Sequence, residues 1–95
     1  MKLPRKLKVK KTEYDVLLVP ELSNGDVAGY CEDEVKLIAI SLNQSERERF
    51  STLIHEGLHA IEKEYRLKLK HKTVYALEKA LCQLLLDNFT LKPRR

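Results

Sequence analysis

The sequence predicts an α+β domain in which a small, mainly antiparallel sheet of three to four strands packs on two helices. Two rhythms along the chain carry that expectation. Up to Leu42, apolar and polar residues alternate in short runs separated by turn-forming residues, as in strands. From Ser45 onward the apolar residues return every three or four positions, as in helices. Length sets the scale. With 95 residues, 43% of them hydrophobic, the chain forms one domain, 1–95, around a single modest core, with residues 1–5 and 91–95 as frayed ends.

Each element has its own warrant. Leu7 and Val9 are set between Lys6, Lys8 and Lys10, a half-exposed strand, and a turn near Lys11 to Glu13 leads into Tyr14 to Val19, an aromatic and β-branched run ended by Pro20. These two pieces pair as a hairpin. Asn24-Gly25-Asp26 marks a loop, and Val27 to Cys31 is a third short strand. Glu32-Asp33 turns it into Glu34 to Leu42, the most strand-like run, with Val35, Leu37 and Ala39 on one face and Lys36, Ile38 and Ile40 on the other. Ser45, with Glu48 three residues on, is a capping box that starts the first helix. Phe50, Leu53, Ile54, Gly57, Leu58, Ile61 and Tyr65 form its apolar stripe. Gly57 costs about 1 kcal/mol against alanine in a helix interior, which points to another backbone or a substrate passing close by. Thr73 to Asn88 reads as a second helix, with Thr73 as N-cap and Val74, Leu77, Leu81, Leu84 and Leu85 along one stripe.

The chemistry lies in His55-Glu56-Gly57-Leu58-His59. On a helix, histidines four residues apart leave the same face and can grip one ion, while Glu56 projects from a neighbouring face. From there Glu56 can activate a zinc-bound water, whose pKa is lowered towards about 7, for attack on a carbonyl. A catalytic zinc site normally takes three protein ligands, so a third is needed. Glu62 and Glu64 share the helix of the histidines, and three side chains of one helix converge poorly on an ion. Glu78 falls inside the apolar stripe of the second helix, where a carboxylate is costly unless paired or bound to metal, and is the preferred third ligand. Its alternative there is a place at the stripe's edge, paired with Lys72 or Lys79 or reaching to water. His71, on the connecting segment, is the next candidate. Tyr75, His71 and Tyr65 are candidates to stabilise the developing oxyanion.

Other features exclude more than they assign. The formal net charge of +4 comes mainly from the first strand, from Arg66, Lys68, Lys70 and Lys72, and from the tail. It suits solubility and nonspecific contact with nucleic acid, without a Gly-rich phosphate loop or an aromatic-interleaved basic patch. Cys31 and Cys82 are far apart and in no C-x-x-C arrangement, so they read as free thiols in a cytoplasmic protein. No apolar run approaches twenty residues and no signal-peptide core follows the basic start, so no membrane contact is expected.

The run Leu37-Ile38-Ala39-Ile40-Ser41, then Arg47-Glu48-Arg49-Phe50-Ser51-Thr52-Leu53-Ile54 leading into His55-Glu56-Gly57-Leu58-His59, resembles the strand and metal-binding helix of the ImmA/IrrE metallopeptidases, a layout shared by small phage and prophage proteins. The likeness continues through Glu78, Ala80 and Leu84-Leu85-Leu86 and spans about Val27 to Asn88. It implies a minimal zincin-like fold with a gluzincin-type site: His55, His59 and Glu78 on one Zn2+ per chain, with Glu56 as general base. Two departures stand out. His59 and Glu78 are nineteen positions apart, a short spacing, and Cys82 stands where thermolysin-like gluzincins place an aspartate.

Together these features predict a zinc metallopeptidase acting on a peptide or protein, phage-encoded and working in the host cytoplasm. If Glu34 to Leu42 lies at the sheet edge, Lys36, Ile38 and Ile40 mark where an extended peptide would pair. The alternative is a small zinc-stabilised binding or regulatory protein, phage-borne, that contacts a host protein or nucleic acid without catalysis. A third reading is a regulatory protein that cleaves one specific partner and no generic substrate.

Overall fold

The computed structural model describes residues 2–90 and shows an α+β arrangement of three layers. A four-stranded sheet lies under helix α1 (Glu46–Glu64), and helix α2 (His71–Asn88) packs on α1. The strands are β1 (Lys6–Val9), β2 (Thr12–Val19), β3 (Gly29–Glu32) and β4 (Leu37–Ser41), in the order β1-β2-β4-β3. The hairpin forms as expected, with Val9 opposite Thr12 and Lys10 in the left-handed region at φ 59°. The expected tail at 91–95 lies outside the described residues.

Just before β1, the Arg5 carbonyl accepts from Val16 N–H at 2.8 Å, and Leu3 packs against the core.

The run Glu34 to Leu42 is not an edge. β4 pairs with β2 in parallel and with β3 antiparallel, so the edges are β1 and β3. The physical reason is burial on both faces. Ile38 and Ile40 are 0% exposed and Ala39 is 1%, the profile of an interior strand. Lys36 stands at a turn with φ 53° before the strand begins, and its Nζ lies 3.1 Å from Glu64. Lys36, Ile38 and Ile40 therefore cannot receive a peptide by strand pairing.

The capping box closes as expected: Ser45 Oγ accepts from Glu48 N–H at 3.2 Å, and Glu48 Oε1 accepts from Ser45 N–H at 2.8 Å. Gly57 faces the sheet, where a Cβ would meet Leu7 at 3.4 Å, so neither a backbone nor a substrate passes there. The second helix starts at His71 with Lys70 as N-cap, and Thr73 lies inside its first turn. Its entry is set by Leu69, whose N–H is held by Glu62 at 2.9 Å. The core joins Val9, Tyr14, Val16, Ile38, Ile40, Leu53 and Ala60. Both cysteines are free, and among the described residues no helix is long and apolar enough to cross a membrane.

Candidate metal centre

Ser51, His55, His59 and Glu62 follow one another along α1 at steps of four, four and three residues, which sets them in a line on one side of the helix. The two imidazoles meet nitrogen to nitrogen, with Nε2 of His55 3.2 Å from Nε2 of His59. Each ring is held from behind. His55 Nδ1 donates to Glu78 Oε1 at 2.7 Å, and the other Glu78 oxygen accepts from the Ser51 hydroxyl at 2.6 Å. His59 Nδ1 donates to Glu62 Oε1 at 3.0 Å, and the other Glu62 oxygen accepts from Leu69 N–H.

A carboxylate can only accept, so both Nδ1 atoms carry hydrogen, and in neutral rings the two Nε2 lone pairs then face each other. Lone pairs this close repel. A cation between them, metal ion or proton, removes the repulsion. Zinc–nitrogen bonds of about 2.0–2.1 Å at a tetrahedral angle would set two nitrogens about 3.3–3.4 Å apart, close to the observed separation. The donor set thus fits a metal at two positions.

The third position is where the expectation changes. Glu78 was to supply it, but its carboxylate meets His55 at Nδ1, the nitrogen that faces away from His59, and both its oxygens are engaged. The crossing of α2 over α1 puts Glu78 behind the imidazole. Among the described residues, no three His, Cys, Asp or Glu side chains converge in ligand geometry. His71, on the exposed first turn of α2, has its ring centroid 5.9 Å from that of His59, and Tyr75 lies 5.0 Å from His55. Tyr65 sits apart at the end of α1, under Lys10.

Glu56 is only 7% exposed, although it shares its helix with two half-buried histidines. Burial pushes its carboxyl above the ordinary range; the neighbouring His55 and His59 pull it back and the charge of Glu78 adds to the rise. It faces β3, where a Cβ on Gly29 would stand 3.6 Å from Glu56 Cγ and clash with Thr52 at 2.6 Å and the Ala39 carbonyl at 2.7 Å. Only glycine lets the edge strand come this near to α1. A shallow cavity of about 350 Å³ adjoins the site, bounded by Cys31, Asp33, His59, Glu62, Lys63 and Leu67. Burial, with the charge of Glu56, pushes the Cys31 thiol up to about 11.

Sequence reasoning missed the supporting roles of Ser51 and Glu62. The signal was present: Ser51 lies four residues before His55 and Glu62 three after His59, the spacings that bring helical side chains together. No family model, curated protein or solved structure matches this chain, so its own geometry carries the functional reading.

Proposed function

We propose that this chain is a zinc-dependent peptide hydrolase in which His55 and His59 hold the ion through Nε2 and Glu56 is the general base. The single observation carrying this reading is the facing pair of Nε2 atoms, 3.2 Å apart, on the helix that also buries Glu56. Bound zinc supplies a Lewis acid that polarises a carbonyl and makes water more acidic. Glu56 takes a proton from the attacking water and returns it to the leaving amine. Gly29–Glu32, an edge of the sheet, offers backbone groups to an extended peptide beside Glu56. Tyr75, with its ring 5.0 Å from that of His55, is the donor to the developing oxyanion. His71 is favoured over Glu78 as the third ligand, because both Glu78 oxygens already have partners.

The absence of a converging third ligand among the described residues favours a second reading, a binding or regulatory protein that uses the histidine pair without catalysis. Zinc content and cleavage of a peptide library separate the two. Wild type and Glu56→Gln are expected to carry about one zinc per chain, with His55→Ala carrying none and His71→Ala losing more zinc than Glu78→Ala. Cleavage by Glu56→Gln is expected to be slower by about 10²–10⁴-fold. Zinc bound with no dependence of cleavage on Glu56 favours the binding protein, and a wild type that takes up no zinc removes both zinc readings.

A further inference from the structure

We infer that Glu62 is the positioning residue of His59 and that it couples the imidazole pair to the connection between the two helices. Its consequence for zinc rests on the reading above; its substance rests on three hydrogen bonds. The first is in the main chain. Helix α1 ends in a Schellman motif, in which Leu67 N–H donates to the Glu62 carbonyl at 2.8 Å and Arg66 N–H to the Lys63 carbonyl at 3.3 Å. Arg66 takes the left-handed conformation, φ 54°, that such an ending requires. The second bond runs from Leu69 N–H to Glu62 Oε2 at 2.9 Å, one residue before the N-cap of α2. The third runs from His59 Nδ1 to Glu62 Oε1 at 3.0 Å.

One residue thereby sets where α1 ends, where α2 begins and which nitrogen of His59 carries hydrogen. The entry of α2 matters to the other imidazole too, because α2 delivers Glu78 to His55. Without the Glu62 carboxylate, the His59 ring is free to turn or to carry its hydrogen on Nε2, which closes the lone pair that faces His55. Loss of such a carboxylate partner typically weakens metal binding by about 10–100-fold.

The experiment compares wild type, Glu62→Gln and Glu62→Ala by three readouts: zinc affinity against a chromophoric chelator, the His59 tautomer from long-range ¹H–¹⁵N correlations in metal-free protein with neutral imidazoles, and exchange of the Leu69 amide. Wild type is expected to hold His59 as the Nδ1–H form. Glu62→Ala shifts it towards Nε2–H, loses about 10–100-fold in zinc affinity and exposes the Leu69 amide. In Glu62→Gln the single amide oxygen can accept from His59 or from Leu69 but not both, so either the tautomer is kept and the Leu69 amide exchanges faster, or the Leu69 amide stays protected and the tautomer shifts to Nε2–H. Should Glu62→Ala fail to fold, this split in Glu62→Gln is the test. Wild-type His59 with hydrogen on Nε2, or a Glu62→Ala protein with unchanged tautomer and zinc affinity within twofold, overturns the inference. A wild type that binds no zinc overturns both zinc readings and leaves the positioning of His59 standing, since the tautomer is measured without metal.

Discussion

Helix α1 has two faces that do different work. Towards the sheet it presents Leu53 and Ala60, both buried in the core with the strands, and Gly57 against Leu7. Glu56 is buried against β3 on this side, and at its end Glu64 accepts from Tyr14 at 2.6 Å, Thr12 at 2.8 Å and Lys36 at 3.1 Å. On the other side Ser51, His55, His59 and Glu62 are joined by hydrogen bonds and remain partly open. Stability comes from removing apolar surface from water, whereas ligand chemistry needs lone pairs held in place and still reachable. A single helix can serve both because its period separates the two sets of side chains by about half a turn.

If the faces are independent, changes on the sheet side alter stability and leave zinc binding alone. The largest effect is expected from Ile38→Ala, a loss of about 2–5 kcal/mol in chemical denaturation, with zinc affinity of the remaining folded protein unchanged. A tenfold loss of affinity there would mean that the sheet sets the spacing of the histidines. A smaller effect is expected from Glu64→Gln and shows in acid. The Tyr14 hydroxyl, then Thr12 and Lys36, lower the Glu64 carboxyl from 4.5 to about 2. Its stabilisation is therefore complete above about pH 4.5 and lost as pH falls through about 2, and the variant should flatten the pH dependence of the melting temperature in that window. The smallest change is Gly57→Ala. Its Cβ would touch only the flexible end of Leu7, so the helix should gain up to about 1 kcal/mol by thermal denaturation.

The sheet-facing half of this arrangement was open to sequence reasoning, and the other half less so. Ser45 and Glu48 announce the helix start, and apolar spacing finds Leu53 and Phe50, because both signals are local. The five-residue motif likewise brings His55 and His59 together, since four residues on a helix fix their distance. The interior place of β4 depends on pairing with β2 across a loop and on β3 folding back at the edge, which no local pattern records. Glu78 lies beside His55, and which nitrogen it meets depends on how the helices cross. Glu62 was set aside as a poor ligand for sound geometric reasons, and the same helical spacing that disqualifies it as a ligand makes it a support for His59.

The two borders of the sheet also differ in what they admit. β1 carries exposed Lys6 and Lys8 along its length, and a second copy of the chain approaching that border meets its own positive charge. β3, of the same four-residue length, carries no lysine. Crowded solutions of this protein should resist growth into fibrils through β1, leaving β3 as the border where a single visiting strand finds a seat.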